Sequence, residues 1–276
     1  MKKVIFVDID GTLIYNHGSM SEKVKSAIAE VRKNGHYVFL CTGRNRTGVD
    51  DLMKTGCFDG TVCSAGGYIE LNGDKIYEAG MDHEDVMLAR RVFESLNILY
   101  NMEANYHAYQ SYEMTRLLNV IFHDAHNSEV DRMIEEQRKR MGIKSLEEYR
   151  PELDTIQTIV YFTNDEGAVY AAKEALSEKF HFLVYQKIGD IFNGELMKHG
   201  VNKGTGIKKV MDYLDIPIED SIGFGDSMND LEMIETCGYS AVMANGDDRL
   251  KRIADTVCES VEDDGIYYEL KRLSLI

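Results

Sequence analysis

An α/β fold, a doubly wound parallel sheet with a second, inserted α/β domain, is predicted by three observations. Short apolar runs alternate with amphipathic helical segments in the way that covered parallel sheets require. The runs Val4 to Val7 and Tyr37 to Cys41 are contiguous and rich in β-branched or aromatic residues, which suits strands buried on both faces. From about Met81 the texture changes, and near Ile191 it returns, so a second domain is expected inside the first.

The elements follow in order. Val4 to Val7 reads as a strand that stops at two carboxylates, Asp8 and Asp10, with Gly11 free to turn sharply behind them. Ser21 is a plausible N-cap for a helix whose apolar face is Val24, Ile28 and Val31 and which Gly35 closes. Tyr37 to Cys41 is the second strand, completing a βαβ unit that makes the two strands parallel and brings Thr42 beside Asp8. Asp50 to Lys54 reads as helix and Gly60 to Ser64 as a third strand. Tyr68 to Leu71 and Lys75 to Tyr77 form a hairpin about Asn72-Gly73-Asp74.

In the insertion we expect a helix (Glu84 to Leu96), an aromatic polar stretch (Tyr100 to Tyr112) and a charged helix (Ser128 to Met141). A strand (Thr155 to Thr163), a helix (Gly167 to Lys179) and a strand (His181 to Tyr185) follow. The first domain then resumes: a helix after Lys203-Gly204 with Ile207, Val210, Met211 and Leu214 on one side, a strand Ser221 to Gly225 ending at Asp226, and a helix from Asn229 to Thr236. Strand Tyr239 to Met243, helix Asp247 to Ala254 and helix Gly265 to Leu273 finish the chain.

Composition narrows the function. At 276 residues the chain can bury one large core or two smaller ones. A net charge of −16 and a pI near 4.9 argue against nucleic acid or an anionic membrane as partner, since both demand a basic footprint. No apolar stretch approaches the length of a membrane span. Five cysteines without C-x-x-C spacing favour reduced thiols and a cytoplasmic setting.

Two acids two residues apart on an extended chain point the same way, and each resists ionising unless a cation lies between them. With oxygen ligands only, Mg2+ is favoured over Zn2+. A calcium-binding EF-hand loop is excluded because the third acid, the Gly and the terminal Glu are missing. Gly200 to Thr205 is not a phosphate-binding P-loop, because Asn202 stands where Gly must precede Lys.

Four polar clusters therefore fall at strand ends or helix starts: Asp8 and Asp10; Thr42 and Gly43; Lys203; and Asp226 with Asn229 and Asp230. In this order they resemble the four motifs of the haloacid-dehalogenase-like (HAD) superfamily. Asp8 to Leu13 matches the first motif, Thr42 the second, Lys203-Gly204 the third, and Gly225 to Asp230 the fourth. The insertion between the second and third motifs makes the chain most similar to the Cof-type branch. The resemblance implies a Rossmann-like catalytic core over residues 1–80 and 190–276 and an inserted α/β cap over 81–189 that selects the substrate.

It also implies roles. Asp8 is the nucleophile that takes the phosphoryl group, and Asp10 the general acid and base. Thr42, the Gly43 N–H, Lys203 and Asn229 bind phosphate. Mg2+ rests on Asp8, Asp226 and the backbone carbonyl of Asp10, with Asp230 behind them orienting Lys203 or a water. Counting charge supports the need: the four aspartates total −4 if all are ionised, and Mg2+ with Lys203 brings +3. Arg44 could reach substrate or pair on the surface.

The implied activity is a phosphomonoesterase working on a small phosphorylated metabolite such as a sugar phosphate or a phosphorylated cofactor, in a monomer or weak homo-oligomer. The alternatives are a phosphotransferase or phosphomutase using the same aspartyl-phosphate, or a non-catalytic phospholigand-binding protein. Within the cap, Tyr106, His107, Tyr109, Tyr112, His123 and His126 could meet the leaving group or simply pack. The chain departs from its relatives at Ala65-Gly66-Gly67, where Asn-Gly-Ala is common, and mildly at Ala244-Asn245-Gly246.

Overall fold

A computed structural model describes residues 2–15, 19–123, 142–185 and 187–276. The chain divides into two compact units, 1–78 with 201–276, and 79–200.

The first segment builds five strands of an eight-stranded sheet. Strand β1, Val4–Val7, is buried at every residue, because apolar layers cover both of its faces. Helix α1, Glu22–Lys33, starts at Ser21, whose hydroxyl accepts from the Val24 N–H, and it buries Val24, Ala27, Ile28 and Val31. Strand β2, Tyr37–Cys41, runs parallel to β1. After the short helix α2, Asp50–Met53, strand β3, Gly60–Cys63, adds in parallel to β2. Strands β4, Tyr68–Leu71, and β5, Asp74–Glu78, are antiparallel, so the expected hairpin closes this edge. Asn72 and Gly73 both take positive φ, the conformation that a two-residue hairpin turn needs.

The second unit is a six-stranded sheet with helices. In chain order it contains α3, His83–Ser95; β6, Leu99–Ala104; β7, Ala108–Gln110; α4, Tyr112–His123; β8, Ile143–Lys144; β9, Ile156–Thr163; α5, Glu166–Leu176; β10, Phe180–Val184; and β11, Phe192–Lys198. The strand order is β10-β11-β9-β6-β7-β8. One face packs Tyr100, Met102, Ile159, Tyr161 and Leu196 on Val86 and Phe93 of α3 and Ala168, Val169 and Ala172 of α5.

Two expectations are corrected here. The stretch Tyr100 to Tyr112 is two paired strands, its alternation obscured by polar residues on one face. The chain returns to the first unit at 201 rather than near 190, because β11 pairs with both β9 and β10. The helix expected over Ser128 to Met141 lies outside the described residues, as do His126 and the His123 side chain.

The last segment completes the first sheet: α6, Lys203–Leu214; β12, Ser221–Gly225; α7, Leu231–Thr236; β13, Tyr239–Met243; α8, Asp248–Lys251; β14, Thr256–Cys258; and α9, Gly265–Arg272. The order is β14-β13-β12-β1-β2-β3-β4-β5, parallel from β14 through β3. Edge strand β14 was not anticipated, since three residues are too few to show a period. Helices α1 and α9 cover one face with Ile28, Val31, Ile266 and Leu270, while α6 and α7 cover the other with Ile207, Val210, Met211 and Met233. The chain leaves β1 to one side and later fills the other. Such a switch point opens a crevice at the carboxyl ends of the strands.

The turn after β3 is strained. Ser64 and Ala65 both have φ of 48°, and Ala65 N–H donates to the Thr42 carbonyl, tying this turn to the loop after β2. An alanine held in this left-handed conformation is strained, whereas Gly adopts it without penalty. Ala65→Gly is expected to raise stability by roughly 0.5–1 kcal/mol in urea unfolding, and a loss of stability would contradict this reading of the turn.

Candidate active site

Asp8 is the first residue beyond β1, and its N–H still donates to Phe224 O of β12 at 3.0 Å, so the sheet itself aims the side chain. Lys203 opens α6, where Asn202 caps the helix by accepting from the Thr205 N–H. A cation at a helix N-terminus is electrostatically misplaced, and Lys203 is only 1% exposed. Two carboxylates compensate: its Nζ lies 2.7 Å from Asp8 Oδ1 and 2.5 Å from Asp230 Oδ1. Burial alone would lower the Lys203 pKa; the charges of Asp8 and Asp230 outweigh it and hold the ammonium protonated.

Asp230 is saturated. Its Oδ2 accepts from the N–H of Asp226 at 2.9 Å and of Ser227 at 3.1 Å, so it fixes the loop that carries Asp226. Asp226 Oδ1 accepts from Thr12 Oγ1 at 3.1 Å. Gly11, at φ +88°, passes so close that a Cβ there would stand 2.3 Å from Asp226 Oδ2. Asn245 Nδ2 donates to Gly11 O at 2.8 Å and so braces the same loop.

Oxygens of Asp8, Asp226 and Asp230 all lie within 4.8 Å of one another. Three carboxylates around one ammonium leave an excess of negative charge. Burial first, then Asp230 and Asp226 against Lys203, pushes Asp8 up to about 7; burial and Asp230 push Asp226 up to about 6. With Asp230 committed to Lys203 and two amides, Asp8 and Asp226 remain as a hard, all-oxygen pair. That donor set fits Mg2+.

The other expected residues divide. Thr42 is buried just beyond β2, and its hydroxyl accepts from the Arg44 N–H at 3.1 Å. Gly43 is exposed next to it. Asn229 is exposed, and its Oδ1 accepts from Ser227 Oγ at 2.8 Å, which leaves its amide N–H groups as donors. The Asp10 carboxylate stands outside the three-acid cluster. It faces Arg44, which donates through Nε at 2.9 Å and Nη2 at 2.5 Å. The pair half-covers both side chains, so the surface-pair alternative for Arg44 holds in this structure.

Sequence reasoning gave no role to Thr12 or Asn245. Thr12 lies inside the first motif, whose spacing could have flagged it; Asn245 lies in the Ala244-Asn245-Gly246 stretch, but its partner is 234 positions away and its role could not be read from its neighbours.

A doubly wound sheet with paired acids and a lysine at its carboxyl edge defines a class of phosphate-handling α/β enzymes. The chain belongs to the haloacid dehalogenase-like hydrolases: the profile of that family matches residues 5–270. It is 28% identical to the putative phosphatase YkrA of Bacillus subtilis, over 99% of this chain and 98% of that one. It is 27% identical to the 5-amino-6-(5-phospho-D-ribitylamino)uracil phosphatase YitU of the same organism, over 97% and 96%. Among solved structures, the subclass IIB sugar phosphatase BT4131 superposes with a TM-score of 0.77 over the whole of both chains at 20% identity, a likeness of fold.

The raised acids give a pH dependence. Ordinary aspartates in the unfolded chain ionise near 3.8, below the folded values, so the stability these two groups contribute is full below about pH 4 and falls as pH rises through about 6 to 7. A divalent cation held by the ionised pair would reverse that loss. Millimolar Mg2+ is therefore expected to raise the melting temperature by several degrees near about pH 8 and hardly at all near about pH 5. An equal rise at both pH values, or one that survives Asp226→Asn, would contradict the assignment.

Proposed function

We propose that the chain is a Mg2+-dependent phosphomonoester hydrolase that works through an aspartyl-phosphate on a small phosphorylated metabolite. The observation that carries this reading is the buried Asp8–Lys203–Asp230 bridge with Asp226 alongside. It presents one carboxylate, beside a fixed cation, at the mouth of a strand. The names of the relatives, two of them phosphatases, support the reaction class.

Asp8 is the nucleophile: a carboxylate oxygen attacks phosphorus, the P–O bond to the leaving group breaks, and Asp10 delivers a proton to the departing alcohol oxygen. Asp10 then takes a proton from water as it attacks the phosphoryl group, releasing phosphate and restoring Asp8. Because Arg44 occupies both Asp10 oxygens, Asp10 must exchange this partner for the leaving-group oxygen in each turnover. Lys203 offsets phosphoryl charge, and Thr42, the Gly43 N–H and the Asn229 amide donate to the phosphoryl oxygens. Asp8, Asp226 and the Asp10 carbonyl are the groups that would hold Mg2+, which when bound supplies Lewis-acid neutralisation of the phosphate dianion. The inserted unit selects the leaving group, and the phosphoribityl compound in the name of one relative makes sugar-like phosphates the first to try.

The test is phosphate release from a panel of phosphorylated metabolites and p-nitrophenyl phosphate with Mg2+. Turnover is expected, and none on any member would overturn the proposal. Asp8→Asn should reduce kcat by at least about 1,000-fold with folding intact by circular dichroism, since an amide cannot attack phosphorus. Residual activity above about a tenth of wild type would remove Asp8 as nucleophile. Lys203→Met strands two buried acids: a loss of about 3–5 kcal/mol in urea unfolding is expected, and an unchanged midpoint would show that the bridge does not hold the site together.

A further inference from the structure

The loop that carries Gly43 and Arg44 is open on its outer side. Gly43 is exposed, a Cβ there would meet no described atom within 4 Å, and Arg44 pairs with Asp10 where both side chains reach solvent. An exposed ion pair holds a backbone in place only weakly. At its root the loop is tied to the turn after β3: Arg44 O accepts from the Ser64 N–H at 2.8 Å, and Thr42 O from the Ala65 N–H at 3.0 Å.

Further along, Arg46 ties the loop from behind. It turns inward and meets Glu70 of β4 with two edges of its guanidinium: Nε donates to Oε2 at 2.6 Å and Nη2 to Oε1 at 3.1 Å, while Nη1 donates to Asp50 of α2. Glu70, only 4% exposed, also accepts from Tyr68 Oη at 3.3 Å. Between the two arginines the chain closes on itself, since Asn45 Oδ1 accepts from the Gly48 N–H and from Thr47 Oγ1, both at 3.0 Å. Arg44 Nη1 donates to Gly48 O at 3.2 Å, so the turn that Arg46 anchors also braces the Arg44 side chain.

A buried ion pair is a poor source of stability, because desolvation cancels most of the attraction, but the planar fork of an arginine on a carboxylate fixes position. The other partners of this pair, Asp50 and Tyr68, are not groups of the site, so it acts there only through the loop. We propose that Arg46 and Glu70 are positioning residues: their buried two-pronged contact holds the loop after β2 so that the Gly43 N–H and Arg44 are aligned before phosphate arrives. The inference deepens the phosphatase reading and rests on its assignment of Gly43 to the phosphoryl group.

The test uses the full-length chain with Mg2+ and reads two quantities: the dissociation constant of inorganic phosphate by calorimetry, and amide hydrogen exchange over residues 43–49 by mass spectrometry. Glu70→Gln and Arg46→Met are each expected to weaken phosphate binding at least about fivefold and to speed exchange in the loop at least about tenfold. The double variant should bind no more than about twofold worse than the weaker single one, because the two side chains act as one unit. Arg46→Lys keeps the charge, loses the fork and folds more readily than the Met variant; it should still lose at least about threefold in affinity. Arg32→Met, which breaks the Arg32–Asp59 pair of α1 in the same unit, should lower the melting temperature and leave phosphate affinity within about twofold of wild type. Unchanged loop exchange or phosphate affinity in Glu70→Gln, wild-type affinity in Arg46→Lys, losses that add in the double variant, an equal loss in Arg32→Met, or no phosphate binding by the wild type would each overturn the inference. None of these readouts needs turnover, so the phosphatase reading is judged separately, by wild-type release of phosphate from p-nitrophenyl phosphate.

Discussion

The ammonium of Lys203 is the centre on which the rest of the catalytic unit depends. A lysine sealed from solvent at the start of a helix is placed against both the desolvation penalty and the helix dipole. It persists because Asp8 reaches it from the end of β1 and Asp230 from the start of α7, 195 and 27 positions away in the chain. Asp230 in turn accepts from the amides of residues 226 and 227, so a single ion ties the ends of β1 and β12 and the start of α6 into one rigid arrangement. Asp226 inherits its position from that arrangement rather than from any ligand of its own.

Much of this was legible in the amino-acid order. Strands β1, β2 and β12 announce themselves by unbroken apolar runs that end in acids or hydroxyls, and α1 by its cap and its period. What the order does not reveal is direction within a residue pair. Asp8 and Asp10 are two apart and an extended chain would send them the same way, yet Gly11 and the tight turn from Ile9 to Ile14 begin at once, and Asp10 turns to Arg44. Asn245 and Thr12 were silent because bracing is a matter of tertiary neighbours. In the insertion, polar residues on one face of β6 and β7 hid their strand period, and β11 belongs to the inserted unit only through its pairing with β9 and β10, which its own residues do not announce.

The two sheets differ in what their faces do. The catalytic sheet is covered on both sides, which leaves only its edge at the strand ends for chemistry. The inserted sheet gives one face to Phe93, Tyr161 and their neighbours and keeps polar groups on the other.

The position of β1 in the middle of its sheet has a consequence for synthesis on the ribosome. One edge of β1 meets β2 as soon as the first residues emerge, but the other waits for β12, which follows the entire inserted unit. Until then Asp8 has no counterion and the nascent sheet has an open side. The insertion, with its own core, can fold during that wait, so Asp8 is translated before the inserted unit and gains its buried partners only after it.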